Sequence, residues 1–133
     1  MGLLKARQFP LEDEKVLQEQ IFQMLEPLCA NMKIGLEREK KLNKNNVIDF
    51  LLTKDRLIVG LKPVIHADTF PFRIGIEVKL CATQRRAIYR QCVSYCSFPA
   101  IDEFILITNS SMGFPLEING KSCYVVNLGK AWL

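Results

Sequence analysis

The stretch that decides the fold runs from residue 73 to residue 96 and reads RIGIEVKLCATQRRAIYRQCVSYC. Its first eight residues alternate, with Ile74, Ile76, Val78 and Leu80 set against Arg73, Gly75, Glu77 and Lys79. Successive side chains of a strand point to opposite faces, so this period of two predicts a strand over 73–80 with one wholly apolar face. The period then changes. Ile88, Cys92, Val93 and Cys96 recur at helical spacing and predict a helix over 84–97, with Thr83 as its cap and Pro99 as its stop. Glu77 and Lys79 leave the same strand face, roughly 6.6 Å apart along the chain. Gln91 and Tyr95 stand one helical turn apart.

Upstream, residues 11–26 predict a helix, with Leu17, Ile21, Met24, Leu25 and Leu28 at helical spacing. Glu12, Asp13 and Glu14 crowd its first turn, where the helix dipole favours acids, and Pro27 should end or kink it. Strands are expected over 33–39 and 47–52, with NKNN at 43–46 as the turn between them. RLIVGL at 56–61 reads as a further strand, and KPVIHADTFPF at 62–72 as irregular chain. Together they make an insertion over about 53–72. Downstream, 103–108 and 123–128 read as strands around a turn-rich loop containing Gly113, Pro115 and the pair Asn119-Gly120. The order α-β-β-β-α-β-β suits one α/β domain over 1–133, a central mixed β-sheet flanked by helices.

Composition narrows the class. A chain of 133 residues with 49% hydrophobic content can fill one core. There is no apolar run approaching the roughly twenty residues of a membrane span. The first residues lack the apolar stretch of a secretory signal, and Ala6 stands where a myristoylation signal needs Ser or Thr. Five cysteines, an odd number without a CxxC pair, suit reduced buried thiols and a cytoplasmic location. The single histidine, His66, has no obvious partner for Ser-His-Asp or Cys-His chemistry. The net charge of +4 gathers in two places. One is Lys33, Arg38, Lys40, Lys41 and Lys44, and the other is Arg85, Arg86 and Arg90. Each cluster suits a solvated face, and the mild basicity permits nucleic-acid binding without demanding it.

Asp49 gives the Glu77–Lys79 pair its meaning. It interrupts the apolar run VIDFLL at 47–52, where an ionised carboxylate is costly to bury without a partner. A divalent cation is such a partner, because Mg²⁺ takes carboxylate oxygens and keeps several waters. Two carboxylates on neighbouring strands can hold it over a scissile phosphate, with the Lys79 ammonium beside the attacking water.

VIDFLL, then IGIEVKL, then a helix bearing QCVSY resembles the PD-(D/E)XK nuclease superfamily. The match runs over Asp49, Glu77-x-Lys79 and Gln91-x-x-x-Tyr95, the last resembling the QxxxY signature of the RecB-like branch. It spans roughly residues 12–128, in the manner of a small single-domain phage member acting in the bacterial cytoplasm. The resemblance implies a restriction-endonuclease-like core and a metal-dependent DNA endonuclease using Mg²⁺, with Mn²⁺ as substitute. Asp49 and Glu77 would bind the metal with the Val78 carbonyl. Lys79 would activate water, Gln91 would orient the site, and Tyr95 would support it. Family members often carry a glutamate on the first helix; Glu19 is preferred, with Glu14 and Glu26 as rivals. Glu37 competes from the strand before Asp49, and Asp68 competes with Asp49. Arg38, Lys40, Lys41, Arg85, Arg86 and Arg90 would touch DNA, and a homodimer would supply two sites for two strands. Isoleucine stands where the pattern has proline before Asp49, and the Asp49–Glu77 gap is long. The alternative is a catalytically inactive nucleic-acid-binding or interaction protein of the same fold.

Overall fold

In the computed structural model the 73–80 alternation is the last part of a longer strand, β3 (Thr69–Lys79), and it lies in the middle of a sheet. The residues described are 11–57, 69–80, 84–110 and 113–129. Chain order is α1 (Leu11–Met32), β1 (Gly35–Asn43), β2 (Asn46–Leu57), β3, α2 (Arg85–Cys96), β4 (Glu103–Thr108), β5 (Glu117–Ile118) and β6 (Lys121–Asn127). The six strands form one mixed sheet in the order β1-β2-β3-β4-β6-β5. β1, β2 and β3 pair antiparallel, β3, β4 and β6 pair parallel, and β5 returns antiparallel on β6. The α/β architecture with a central mixed sheet is therefore present.

A strand with neighbours on both sides and a helix on each face buries both of its faces. On one face Ile76, Val78 and Leu80 pack with Phe50 against Leu17 and Ile21 of α1. On the other, Ile48, Leu51, Ile101, Phe104 and Leu106 pack against Cys92, Tyr95 and Cys96 of α2. The face of β3 that carries Gly75 and Glu77 is thus core as well, not a solvated surface. Gly75 fits because it has no side chain: a Cβ there would stand 2.6 Å from Ile48 Cδ1 and 3.0 Å from Ile101 Cδ1.

Several boundaries differ from the expectations. α1 does not stop at 26 but runs through Pro27 to Met32. Pro27 is exposed, so the carbonyl deprived of its amide partner can turn to water. The extra turns seat Cys29 in the interior at 2% exposure. The helix closes on Lys33 at φ 58°, with Lys33 N–H donating to Ala30 O and Ile34 N–H to Cys29 O. That is the Schellman closure, here with lysine in glycine's usual place.

No separate strand begins at 56. β2 runs on to Leu57 and pairs with β3 as far as Leu57↔Thr69. Residues 53–57 and 69–72 are therefore the arms of one long hairpin rather than an inserted loop. The remainder, 58–68, lies outside the described residues, as do His66, Asp68, Cys81 and Thr83. The 109–122 loop holds one short strand, β5, which turns into β6 through Asn119 (φ 53°) and Gly120 (φ 77°). Two successive positive φ values make the tight hairpin turn that an Asn-Gly pair favours.

Candidate active site

The site begins with a fault in the alternation of β1 and β2. Phe50 and Leu52 face α1, and by strand parity Ile48 should join them. Ile48 instead lies in the core under α2. On β1, Leu36 packs on the α1 side and Leu42 on the α2 side, although both positions are even. The pairing runs Arg38↔Phe50 and Lys40↔Ile48 and skips Glu39 and Asp49. Glu39 has φ 48°, a left-handed conformation that costs a residue with a side chain about 1–2 kcal/mol. Both strands thus reverse their facing at one level without gaining or losing a residue.

At that level the β2–β3 ladder, which runs to Phe50↔Ile76, gives way to side chains. Asp49 N–H donates to Glu77 Oε1 (3.2 Å), Val78 N–H to Asp49 Oδ2 (2.7 Å), and Leu80 N–H to Glu14 Oε1 (3.0 Å). Three carboxylates from α1, β2 and β3 therefore satisfy backbone amides where strand pairing ends. Polar groups buried there need such partners.

Glu77 is the hub. It is 3% exposed, and its Oε2 lies 3.1 Å from the Tyr95 hydroxyl and 3.5 Å from Lys79 Nζ. The Tyr95 oxygen also lies 3.0 Å from Val47 O and accepts from Gln91 Nε2 at 2.8 Å. A phenol has one proton, so it serves either Val47 O or Glu77 Oε2 at a given moment. Ionised Glu77 takes that proton's hydrogen bond, whereas protonated Glu77 can donate to Tyr95 and release the phenol to Val47.

Burial pushes the Glu77 carboxyl up to about 8, and the neighbouring Asp49 charge pushes the same way. Burial also raises Asp49, against the pull of the Val78 amide and the Lys79 ammonium, while Glu14 adds to the rise. Tyr95 is raised by burial and by the Glu77 charge, so it stays a phenol. When all are ionised, three carboxylates (Glu14, Asp49, Glu77) stand with one ammonium (Lys79) among the described residues, an excess of two negative charges. A divalent cation matches that excess, and hard oxygens are the ligands Mg²⁺ prefers. Among the described residues no group of three or more His, Cys, Asp or Glu side chains is placed to hold a metal ion together. Mg²⁺ needs none, because it keeps several waters and takes one or two carboxylates.

The structure thus brings together Asp49, Glu77, Lys79, Gln91 and Tyr95 as the motif spacing anticipated. Val78 enters through its N–H, while its side chain is core. Glu19 is elsewhere: it is exposed and paired with Arg38 at 2.8 Å. The helix acid that arrives is its rival Glu14. A helical wheel carries the signal, since 14, 17 and 21 share one face and Leu17 and Ile21 are that face's core residues. Glu37 is also outside the cluster, exposed and 3.3 Å from Lys40. Arg38 is spent on Glu19 and on the Phe22 ring, 4.3 Å from its guanidinium carbon. Lys41 is exposed on β1, and Arg85, Arg86 and Arg90 are exposed on α2. Cys92, Cys96 and Cys123 lie buried behind Tyr95, with Cys96 Sγ and Cys123 Sγ 3.7 Å apart. Burial raises the thiols of Cys92 and Cys96 to about 12. Comparisons with protein-family models, with curated proteins and with solved structures return no match to this chain.

Proposed function

We propose that this protein is a Mg²⁺-dependent nuclease of the PD-(D/E)XK kind that hydrolyses DNA phosphodiester bonds. The observation that carries this reading is the convergence of Glu14, Asp49 and Glu77 on the point where β2 and β3 part, with the Lys79 ammonium beside them. Asp49 and Glu77 would hold the metal with the Val78 carbonyl, while Glu14 holds the Leu80 amide beside them. When bound, Mg²⁺ polarises the phosphoryl oxygen and acidifies a bound water. The chain's own groups do the rest. Lys79 sets a positive charge where the attacking water and the extra phosphoryl charge must sit. Glu77 fixes the height of that ammonium at 3.5 Å, and Tyr95 with Gln91 fixes Glu77. The β3–α2 core excludes water from behind the carboxylates, which strengthens each of these interactions.

The strand order α-β-β-β-α followed by parallel β4 and β6 supports the same reading, because it places β3 centrally with helices on either side. One such site cuts one strand, so duplex cleavage calls for two copies. The test is cleavage of plasmid, branched and single-stranded DNA with Mg²⁺. Lys79→Ala should lower the rate on the order of a hundredfold or more, the usual cost of removing one charge-stabilising donor. Equal rates for wild type and Lys79→Ala on every substrate, or no cleavage by wild type on any, would overturn the proposal.

A further inference from the structure

The N-terminal half of α2 carries Arg85, Arg86 and Arg90, and the active site does not use them. They line a recess of about 280 Å³ together with Tyr89 and Gly113. Among the described residues no carboxylate pairs with any of the three guanidiniums. No acid occupies the first turn of α2, and Gln84 makes no side-chain cap there. Cations at that end oppose the helix dipole, so the fold gains nothing electrostatic from them. Tyr89 sits among them at 41% exposure, and its ring is held against Phe114, with centroids 6.0 Å apart and planes at 70°.

Guanidiniums around a braced, half-exposed aromatic ring offer the two contacts that a nucleotide makes: charge for phosphate and a flat apolar surface for the base. The recess is smaller than the roughly 300–1,000 Å³ of pockets for drug-sized ligands, so it suits one nucleotide rather than a base pair. A base can reach it only when it is out of the duplex stack. From Tyr89 to Tyr95, which touches Glu77, is six helical residues, about 9 Å along the axis. Six residues also turn about 240° round the helix, so Tyr89 lies on the Phe114 side of α2 and Tyr95 on the Glu77 side, and a strand held in the recess reaches the carboxylates by crossing the helix.

We infer that this recess binds an unpaired nucleotide of the substrate strand, with Tyr89 stacking on its base and Arg85, Arg86 and Arg90 on its phosphates. The substrate is then DNA with a single-stranded segment. This rests on the nuclease reading for its biology, but binding can be measured without cleavage.

The test is fluorescence anisotropy in EDTA with a labelled ten-nucleotide thymidine strand and a blunt duplex carrying the same label. Wild type should bind the single strand more tightly. Tyr89→Ala should weaken that binding on the order of tenfold, the usual loss of one stacked base, and leave duplex binding unchanged. Tyr89→Phe should keep it. Arg86→Ala and Arg90→Ala should each lower the slope of log affinity against log salt by about 0.7, the loss of one single-strand phosphate contact. All three positions are exposed, and circular dichroism verifies that the variants fold. Equal affinity for both probes, no binding of either, or a Tyr89→Ala variant that matches wild type would overturn the inference. The two readings fail separately. Tyr89-dependent binding without Lys79-dependent cleavage keeps the recess and removes the nuclease, and the converse keeps the nuclease and removes the recess.

Discussion

Glu77 holds a carboxyl in a dry place beside a second carboxyl, and its protonation follows from that. The folded state keeps its proton up to about pH 8, while in the unfolded chain it leaves near the ordinary value of 4.5. Between those limits the folded form binds more protons, so stability falls as pH rises through the window, and Asp49 shifts in the same direction. Without metal, the melting temperature should therefore drop between about pH 4.5 and 8. Glu77→Gln, neutral at every pH, should flatten that slope and melt above wild type at pH 8 (differential scanning calorimetry decides it). Millimolar Mg²⁺ should raise the wild-type melting temperature at pH 8 and leave Glu77→Gln unmoved, because only the ionised carboxylates gain from the cation. A second comparison separates the helix acids. Glu14→Gln should reduce cleavage roughly 10–100-fold, as loss of an outer ligand does in metal sites. Glu19→Gln should leave it unchanged, since Glu19 is paired with Arg38 and Gln23 on the surface.

The strands and helices show what a local pattern carries. The alternation of 74–80 named β3 because period two survives wherever a strand is regular. The same rule misleads across Asp49, where β1 and β2 reverse facing at the unpaired Glu39–Asp49 level, and nothing in VIDFLL marks the reversal. Pro27 suggested a helix end, but the gain from seating Cys29 outweighs one lost backbone bond. The arms of the β2–β3 hairpin read as an insertion because Pro71 and mixed polarity hide the strand pairing. Two substitutions test the elements. Gly75→Ala should destabilise by about 1–3 kcal/mol in urea titration, since its Cβ meets Ile48 and Ile101. Lys33→Gly should stabilise by about 1 kcal/mol by relieving the left-handed closure of α1.

At the scale of the molecule, one sheet lies between two cores, α1 on one face and α2 on the other. Among the described residues no helix is long and apolar enough to cross a membrane. If duplex DNA is cut on both strands, two sites must act together. Light scattering with size-exclusion chromatography should then report twice the chain mass when the protein is mixed with a non-cleavable duplex. A single-chain mass there would limit the proposed nuclease activity to nicking or single-strand cutting. The sequence by itself determined the α/β class, the β3 strand and both main helices, and it singled out Asp49, Glu77, Lys79, Gln91 and Tyr95, which the fold brings together. Those follow from periodicity and motif spacing, which local sterics translate directly into strand and helix faces. Only the tertiary structure decided that Glu14 rather than Glu19 joins them, that the Glu77 face is buried, and that Tyr89 stands among the arginines. Each of these depends on which surface a neighbouring element covers, and that is set by packing between segments far apart in the chain.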